Sequence, residues 1–172
     1  MKRFFITGIS GVGKSSVAEK LSQRGIPSID IDSVKGLCQW INKDTFKVER
    51  WHHGMTNKWY KNHKYICDKE KLIRLMNNYK NVVVVVGLPS NRNEMLGLFD
   101  KVFLLHCKEE TFLKRIDERA SHDFGKHILD KQNILSWYKN FEEKMLGKGA
   151  IAINTEGSLD KVVEKVVKHI TS

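Results

Sequence analysis

No stretch constrains this chain more than Gly8-Ile9-Ser10-Gly11-Val12-Gly13-Lys14-Ser15. It reads as a glycine, four residues, then Gly-Lys-Ser. The apolar Phe4-Phe5-Ile6 precedes it, and the helix-forming Ser16-Val17-Ala18-Glu19-Lys20-Leu21 follows. A strand, a glycine-rich turn and a helix in that order form a cradle for phosphate. Glycines let the backbone turn tightly, and a helix start supplies unpaired N–H donors and partial positive charge. Gly8, Gly11, Val12, Gly13, Lys14, Ser15 and Ser16 are therefore the expected nucleotide-binding residues. Lys14 would reach the β- and γ-phosphates of ATP, and the Ser15 hydroxyl would hold Mg²⁺.

The rest of the chain alternates strands and helices. A helix from Lys14 to about Arg24 carries Val17 and Leu21 on one face, and Gly25 stops it. Pro27 to Asp32 reads as a second strand whose end brings Asp30 and Asp32 to the edge occupied by the phosphate loop. Asp30 suits the metal side and Asp32 the acceptor, although either is also an ordinary cap for a helix beginning near Ser33. A helix follows over about 69–79. Five consecutive valines, Val82–Val86, then require a strand buried on both faces, beside the phosphate-loop strand. Lys101 to His106 and Ala150 to Asn154 complete the strands, separated by helices near 108–119 and 130–146, and Ser158 begins a last helix. The result is an α/β fold in one domain, 1–172.

Three segments are candidates for an acceptor or a lid. Between Lys35 and Cys67 the alternation breaks into what read as helical pieces joined by loops, rich in aromatic and basic residues. Trp40 and Trp51 there could stack on a base or ring, or simply cover the sheet edge. His52, His53 and His63 lack a spacing that would complete a zinc site. The loop Gly87-Leu88-Pro89-Ser90-Asn91-Arg92 enters the crevice, with Gly87 permitting close approach of a ligand and Asn91 or Arg92 placed to hold the acceptor. Arg115 and Arg119, four apart on one helix face, precede a short lid over 120–128 that contains Lys126; they would neutralise charge on the transferred phosphoryl group. Asn154 and Thr155 stand where an adenine ring could rest.

Composition sets outer limits. The chain has 172 residues, and 30 Lys plus Arg against 20 Asp plus Glu leave a net charge of +10. That charge suits a phosphorylated ligand and would also favour weak association with nucleic acid. Cys38, Cys67 and Cys107 are widely spaced and read as free thiols of a reducing compartment. With no leader-like or membrane-spanning apolar run, a cytoplasmic monomer or homodimer without membrane attachment is expected.

Together the phosphate loop, the Asp30/Asp32 pair, the Arg115/Arg119 lid entrance and the Asn154-Thr155 step resemble the small P-loop kinases, the shikimate, gluconate and nucleoside monophosphate kinase group. Gly87–Arg92 and Asp123-Phe124-Gly125-Lys126 are similar to stretches of a shikimate-kinase-like ATPase branch. The resemblance implies a three-layer P-loop NTPase fold with a five-stranded parallel sheet in order 2-3-1-4-5. It also implies ATP and Mg²⁺ at the loop, and Asp32 as acceptor ligand or base. The expected activity is phosphoryl transfer from ATP to a small-molecule acceptor such as a nucleoside, nucleotide or hydroxy metabolite. The alternatives are an ATP-binding switch or weak ATPase, and an RNA-end kinase or RNA-associated NTPase. The sequence departs from shikimate kinases in following Gly87 with Leu-Pro-Ser, and from adenylate kinases in its aromatic 40–67 region and short lid.

Overall fold

A computed structural model of the protein describes residues 1–171. In chain order the elements are β1 (Lys2–Thr7), α1 (Lys14–Gln23), β2 (Ser28–Asp30), β3 (Cys38–Asn42), β4 (Val48–Glu49), α2 (Asn57–Asn62), β5 (His63–Cys67), α3 (Lys69–Met76), β6 (Val82–Val86), β7 (Lys101–His106), α4 (Glu109–Glu118), α5 (Ile128–Gly147), β8 (Ile151–Asn154) and α6 (Leu159–Thr171). Short 3₁₀ turns occupy Arg92–Glu94 and Leu96–Leu98.

The main sheet is all parallel in the order β2-β6-β1-β7-β8. Counted within that sheet alone, this is the expected 2-3-1-4-5. The valine strand β6 lies beside β1, with Phe4 opposite Val84 and Ile6 opposite Val86. Successive side chains of a strand point to opposite faces. Phe4, Ile6, Val84 and Val86 accordingly enter one core with residues of α1, α5 and α6, while Phe5, Val83 and Val85 enter a second core with Leu72 and Met76 of α3. Helices cover both faces, so the sheet must be apolar on both, and this is why β6 does not alternate. No helix among the described residues is long and apolar enough to cross a membrane.

Residues 35–67 correct the expectation of helical pieces joined by loops. They build a second, antiparallel sheet in the order β4-β3-β5, with the single-turn-and-a-half α2 between β4 and β5. Side-chain pairing across strands decides this. Trp40 faces Tyr65, and Ile41 and Ile66 stand on the same two strands, aromatic and β-branched residues that favour a pleated surface. Between β3 and β4 the Asn42 carboxamide oxygen accepts the N–H groups of Asp44 and Thr45, closing the turn locally. The small sheet is fastened to the large one through the loop after β6. Ser90 N–H donates to Tyr65 O at 2.6 Å, and Tyr65 N–H donates to Ser90 Oγ at 3.0 Å.

That loop brings a second correction. A side chain at Gly87 would collide with Ile31, so the residue serves close packing of the core rather than approach of a ligand. Asn91 is likewise committed to structure. Its Oδ1 accepts from Cys67 N–H at 3.0 Å and its Nδ2 donates to Cys67 O at 2.9 Å, so its amide stands in for a neighbouring strand on β5.

Candidate active site

One cleft of about 1130 Å³ crosses the carboxyl edge of the main sheet. The phosphate loop forms its floor. Gly11 and Gly13 have φ of 86° and 93°, left-handed values that disfavour other residues. At Gly11 an added Cβ would also strike the Phe112 carbonyl of α4. The first i→i−4 bond of α1 runs from Val17 N–H to Gly13 O at 3.0 Å, and no side chain caps the helix start. The N–H groups of the first turn therefore lack helical partners at the positive end of the dipole, the arrangement an anion would satisfy.

Charged groups converge on the same place. Lys14 folds back over its loop, Nζ donating to Ile9 O at 2.9 Å. Burial lowers its pKa, while Asp32 and Asp30 pull it back up and Arg119 lowers it further. Four charges thus act on one another across the floor of the cleft. Arg119 Nη1 donates to Ser10 Oγ of the phosphate loop at 3.0 Å, and its Nε and Nη2 are buried with no partner. Buried donors are costly to leave unpaired, so those two are suited to phosphate oxygens. The uncapped helix start, Lys14 and the two orphan Arg119 nitrogens fit a nucleoside triphosphate. The exposed Ser15 side chain at the head of α1 is open to a magnesium ion, a hard cation that takes oxygen ligands.

The two arginines do not act from one helix face as expected. The α4 helix ends at Glu118, and Arg119 turns extended, at φ −69° and ψ 140°, toward the phosphate loop. Arg115 stays on the helix and points elsewhere. Its Nη1 donates to Thr155 Oγ1 at 3.2 Å and its Nη2 to Thr155 O at 2.8 Å, tying α4 to the turn after β8. Thr155 is buried and lines the cleft with Gly157 and Leu159, whereas Asn154 turns its Oδ1 to Glu156 N–H at 2.8 Å. Val12 and Ser16 line the phosphate end.

At the far end, Asp32 and Asp30 part company. Asp30 Oδ1 accepts the Asp32 N–H at 3.0 Å, closing its own turn. Asp32 lines the cleft, and its Oδ1 accepts from the Tyr65 hydroxyl at 2.8 Å. Burial, and then the Asp32 charge, push the Tyr65 hydroxyl above its ordinary value, so it remains a donor. Trp40 and Tyr65 line the wall with ring centroids 5.3 Å apart. Trp51 lines it too, packing 5.4 Å from Phe124 of the 120–128 segment. Arg92 enters the cleft over the Phe141 ring at 4.8 Å, with Nη1 donating to Pro89 O at 3.2 Å. Lys126 instead pairs with Asp123 at 3.2 Å within the segment.

Tyr65 and Ser10 line the cleft and were overlooked by the sequence reading, as was Asp130, which is buried outside the cleft and accepts hydrogen bonds from the Tyr60 hydroxyl and Gly125 N–H. Tyr65 had only the general signal of an aromatic-rich region. Ser10 lies inside the phosphate loop, at a position the motif leaves open. Asp130 had none, because a carboxylate in a helix's first turn is ordinary.

The model of a family described as the AAA domain matches residues 5–135. No curated protein matches the sequence. Among solved structures, a shikimate kinase from Acinetobacter baumannii in complex with shikimate superposes with a TM-score of 0.63 at 14% identity, covering 99% of this chain and 93% of that one. A deoxyadenosine kinase from M. mycoides with bound dATP gives 0.58 at 14% identity, covering 99% and 100%. A gluconokinase from Sinorhizobium meliloti 1021 gives 0.57 at 18% identity, covering 99% and 91%. At these identities the likeness is one of fold, and that fold is the one the small P-loop kinases share.

Proposed function

Because the chain belongs to the AAA domain family, with a phosphate loop at the head of α1, we propose that it transfers a phosphoryl group from MgATP to a hydroxyl of a small-molecule acceptor. One observation carries this reading. Arg119, tied by Nη1 to Ser10 of the phosphate loop, keeps its buried Nε and Nη2 unpartnered in the cleft that Lys14 and Asp32 also line, at a helix start that no side chain caps.

In that mechanism the first-turn N–H groups of α1 and Lys14 hold the β- and γ-phosphates, and Thr155 and Arg115 border the end that receives the base. Ser15 and Asp30 would hold a magnesium ion, which would supply charge neutralisation at the phosphates. Arg119 donates its two spare N–H groups to oxygens that gain charge as the phosphoryl group moves. Asp32, oriented by Tyr65, accepts the proton of the acceptor hydroxyl. Residues 35–67 act as the acceptor-binding subregion and 120–128 as the lid. The rings of Trp40 and Tyr65 favour an acceptor with a flat apolar face over a small fully polar one, and Arg92 suits an electronegative substituent on it.

The test is ADP release from MgATP across sugars, shikimate-like acids, nucleosides, nucleoside monophosphates and short RNA ends, with Lys14→Ala as control. Stimulation by one class that disappears in the control supports the reading. Tight MgATP binding without stimulation by any of them would favour a nucleotide switch instead.

A further inference from the structure

Cys38 on β3 and Cys67 on β5 stand directly opposite each other in the antiparallel ladder. Both backbone groups of Cys67 are taken by the Asn91 side chain, and the adjoining ladder bond runs from Asp68 N–H to Leu37 O. The two cysteines are therefore a non-hydrogen-bonded pair, the kind whose Cα atoms approach to about 4.5 Å with side chains on one face. A disulfide requires Cα atoms roughly 4.4–6.8 Å apart, so closure needs little backbone movement. Both side chains belong to the same apolar cluster. Pairing of the two thiols, and then burial, raise the Cys38 pKa, and the same pairing lowers that of Cys67. Cys38 is partly exposed and Cys67 buried. Tyr65, whose hydroxyl donates to Asp32, lies two residues before Cys67 on β5, and Cys38 adds to the upward push on that hydroxyl's pKa.

We propose that Cys38 and Cys67 form an oxidant-reactive dithiol that closes reversibly to an intramolecular disulfide beside Tyr65 and Asp32. With a peroxide as oxidant, the accessible Cys38 sulfur gives up its proton to solvent and attacks one peroxide oxygen, and the released hydroxide takes a proton back. The O–O bond breaks, giving a sulfenic acid and one water. The Cys67 sulfur then attacks the Cys38 sulfur and breaks its S–O bond, and the departing hydroxide takes the Cys67 proton as a second water. Two thiols lose two electrons and two protons, and hydrogen peroxide is reduced to water. A dithiol reductant reverses the bond by exchange. Cys107, buried on the far side of β1 beside Arg115, has no cysteine partner and serves as the internal control.

The proposal stands apart from phosphoryl transfer and is tested without it. Native protein is treated with hydrogen peroxide, then its free thiols are counted, its intact mass is measured and its peptides are mapped. The expected result is a fall from three free thiols to one, a mass lower by two hydrogen atoms, and a linked peptide pair containing Cys38 and Cys67, all restored by dithiothreitol. Cys107→Ser should keep the mass loss, and Cys67→Ser should abolish it. Retention of all three thiols, oxygen adducts in place of the hydrogen loss, or a linked pair involving Cys107 would overturn the proposal. Mapping of the unsubstituted protein decides the matter even if the serine variants fold poorly.

Discussion

The Tyr60 hydroxyl donates to Asp130 Oδ1 at 2.7 Å, joining the aromatic subregion to the start of α5. The same hydroxyl accepts from Trp51 Nε1 at 2.7 Å, and Asp130 Oδ2 accepts from Gly125 N–H at 3.1 Å. A carboxylate only 1% exposed thus holds both the aromatic wall of the cleft and the turn of the 120–128 segment. Asp130→Ala would leave two donors without their acceptor and should cost about 3 kcal/mol of stability. Tyr60→Phe should cost about 1–2 kcal/mol. Urea unfolding of both variants checks the order as well as the size.

Gly11→Ala should abolish MgATP binding and destabilise the fold together. The left-handed φ and the clash with the Phe112 carbonyl act on the loop and on α4 at once. Gly13→Ala meets no neighbouring atom and carries only the backbone strain, so it should be the milder change. Calorimetric titration with MgATP, beside a thermal melt, separates the two.

Arg119→Ala should lower phosphoryl transfer by about 10²–10³-fold, the size expected for losing a preorganised donor to developing charge. Stability should change by less than about 1 kcal/mol, because two of the side chain's nitrogens have no protein partner to lose. Unchanged transfer would remove Arg119 from the mechanism. Arg115→Ala should show the opposite balance, since its fork holds Thr155.

Asp32→Asn should leave MgATP affinity within a few-fold while turnover drops. Tyr65→Phe should give a smaller fall in turnover, because it removes the group that orients Asp32 but not the carboxylate. A fall in MgATP affinity as large as the fall in turnover would place Asp32 on the metal side. Single-turnover kinetics and nucleotide titrations distinguish these outcomes.

Burial raises the pKa of Glu142, whose Oε1 is buried without a partner. The folded state then holds its proton more tightly than the unfolded chain. The favourable contribution is complete below the unfolded carboxylate value, about 4.3, and is lost as pH rises through the folded value. Glu142→Gln should therefore melt higher than the parent at neutral pH, with the difference shrinking toward pH 4. Thermal melts across that range test it.

Local residue chemistry determined much of this protein. The spacing of Gly8 to Ser15 names a phosphate cradle because only glycine suits those backbone angles, and it also predicts the helix that follows. Val82–Val86 announces a strand buried on both faces because no half-exposed strand could be valine throughout. From these two stretches the parallel sheet and the uncapped helix start on the floor of the cleft were legible.

Tertiary structure decided what depends on partners distant in sequence. Trp40 and Tyr65 carry no sign that they face each other, since a ladder is written in pairs and either strand alone is ambiguous. The reading of 35–67 as helical pieces failed for that reason. Arg115 and Arg119 share a helical spacing, but α4 stops between them, and only the positions of Thr155 and Ser10 show where each guanidinium goes. Asn91 looked like a ligand for the acceptor until the bare edge of β5 claimed its amide. Asp130 looked like a helix-end carboxylate until the fold buried it beneath Tyr60. A hydrogen bond across seventy residues has no local signature, and its worth arises only when folding removes both groups from water.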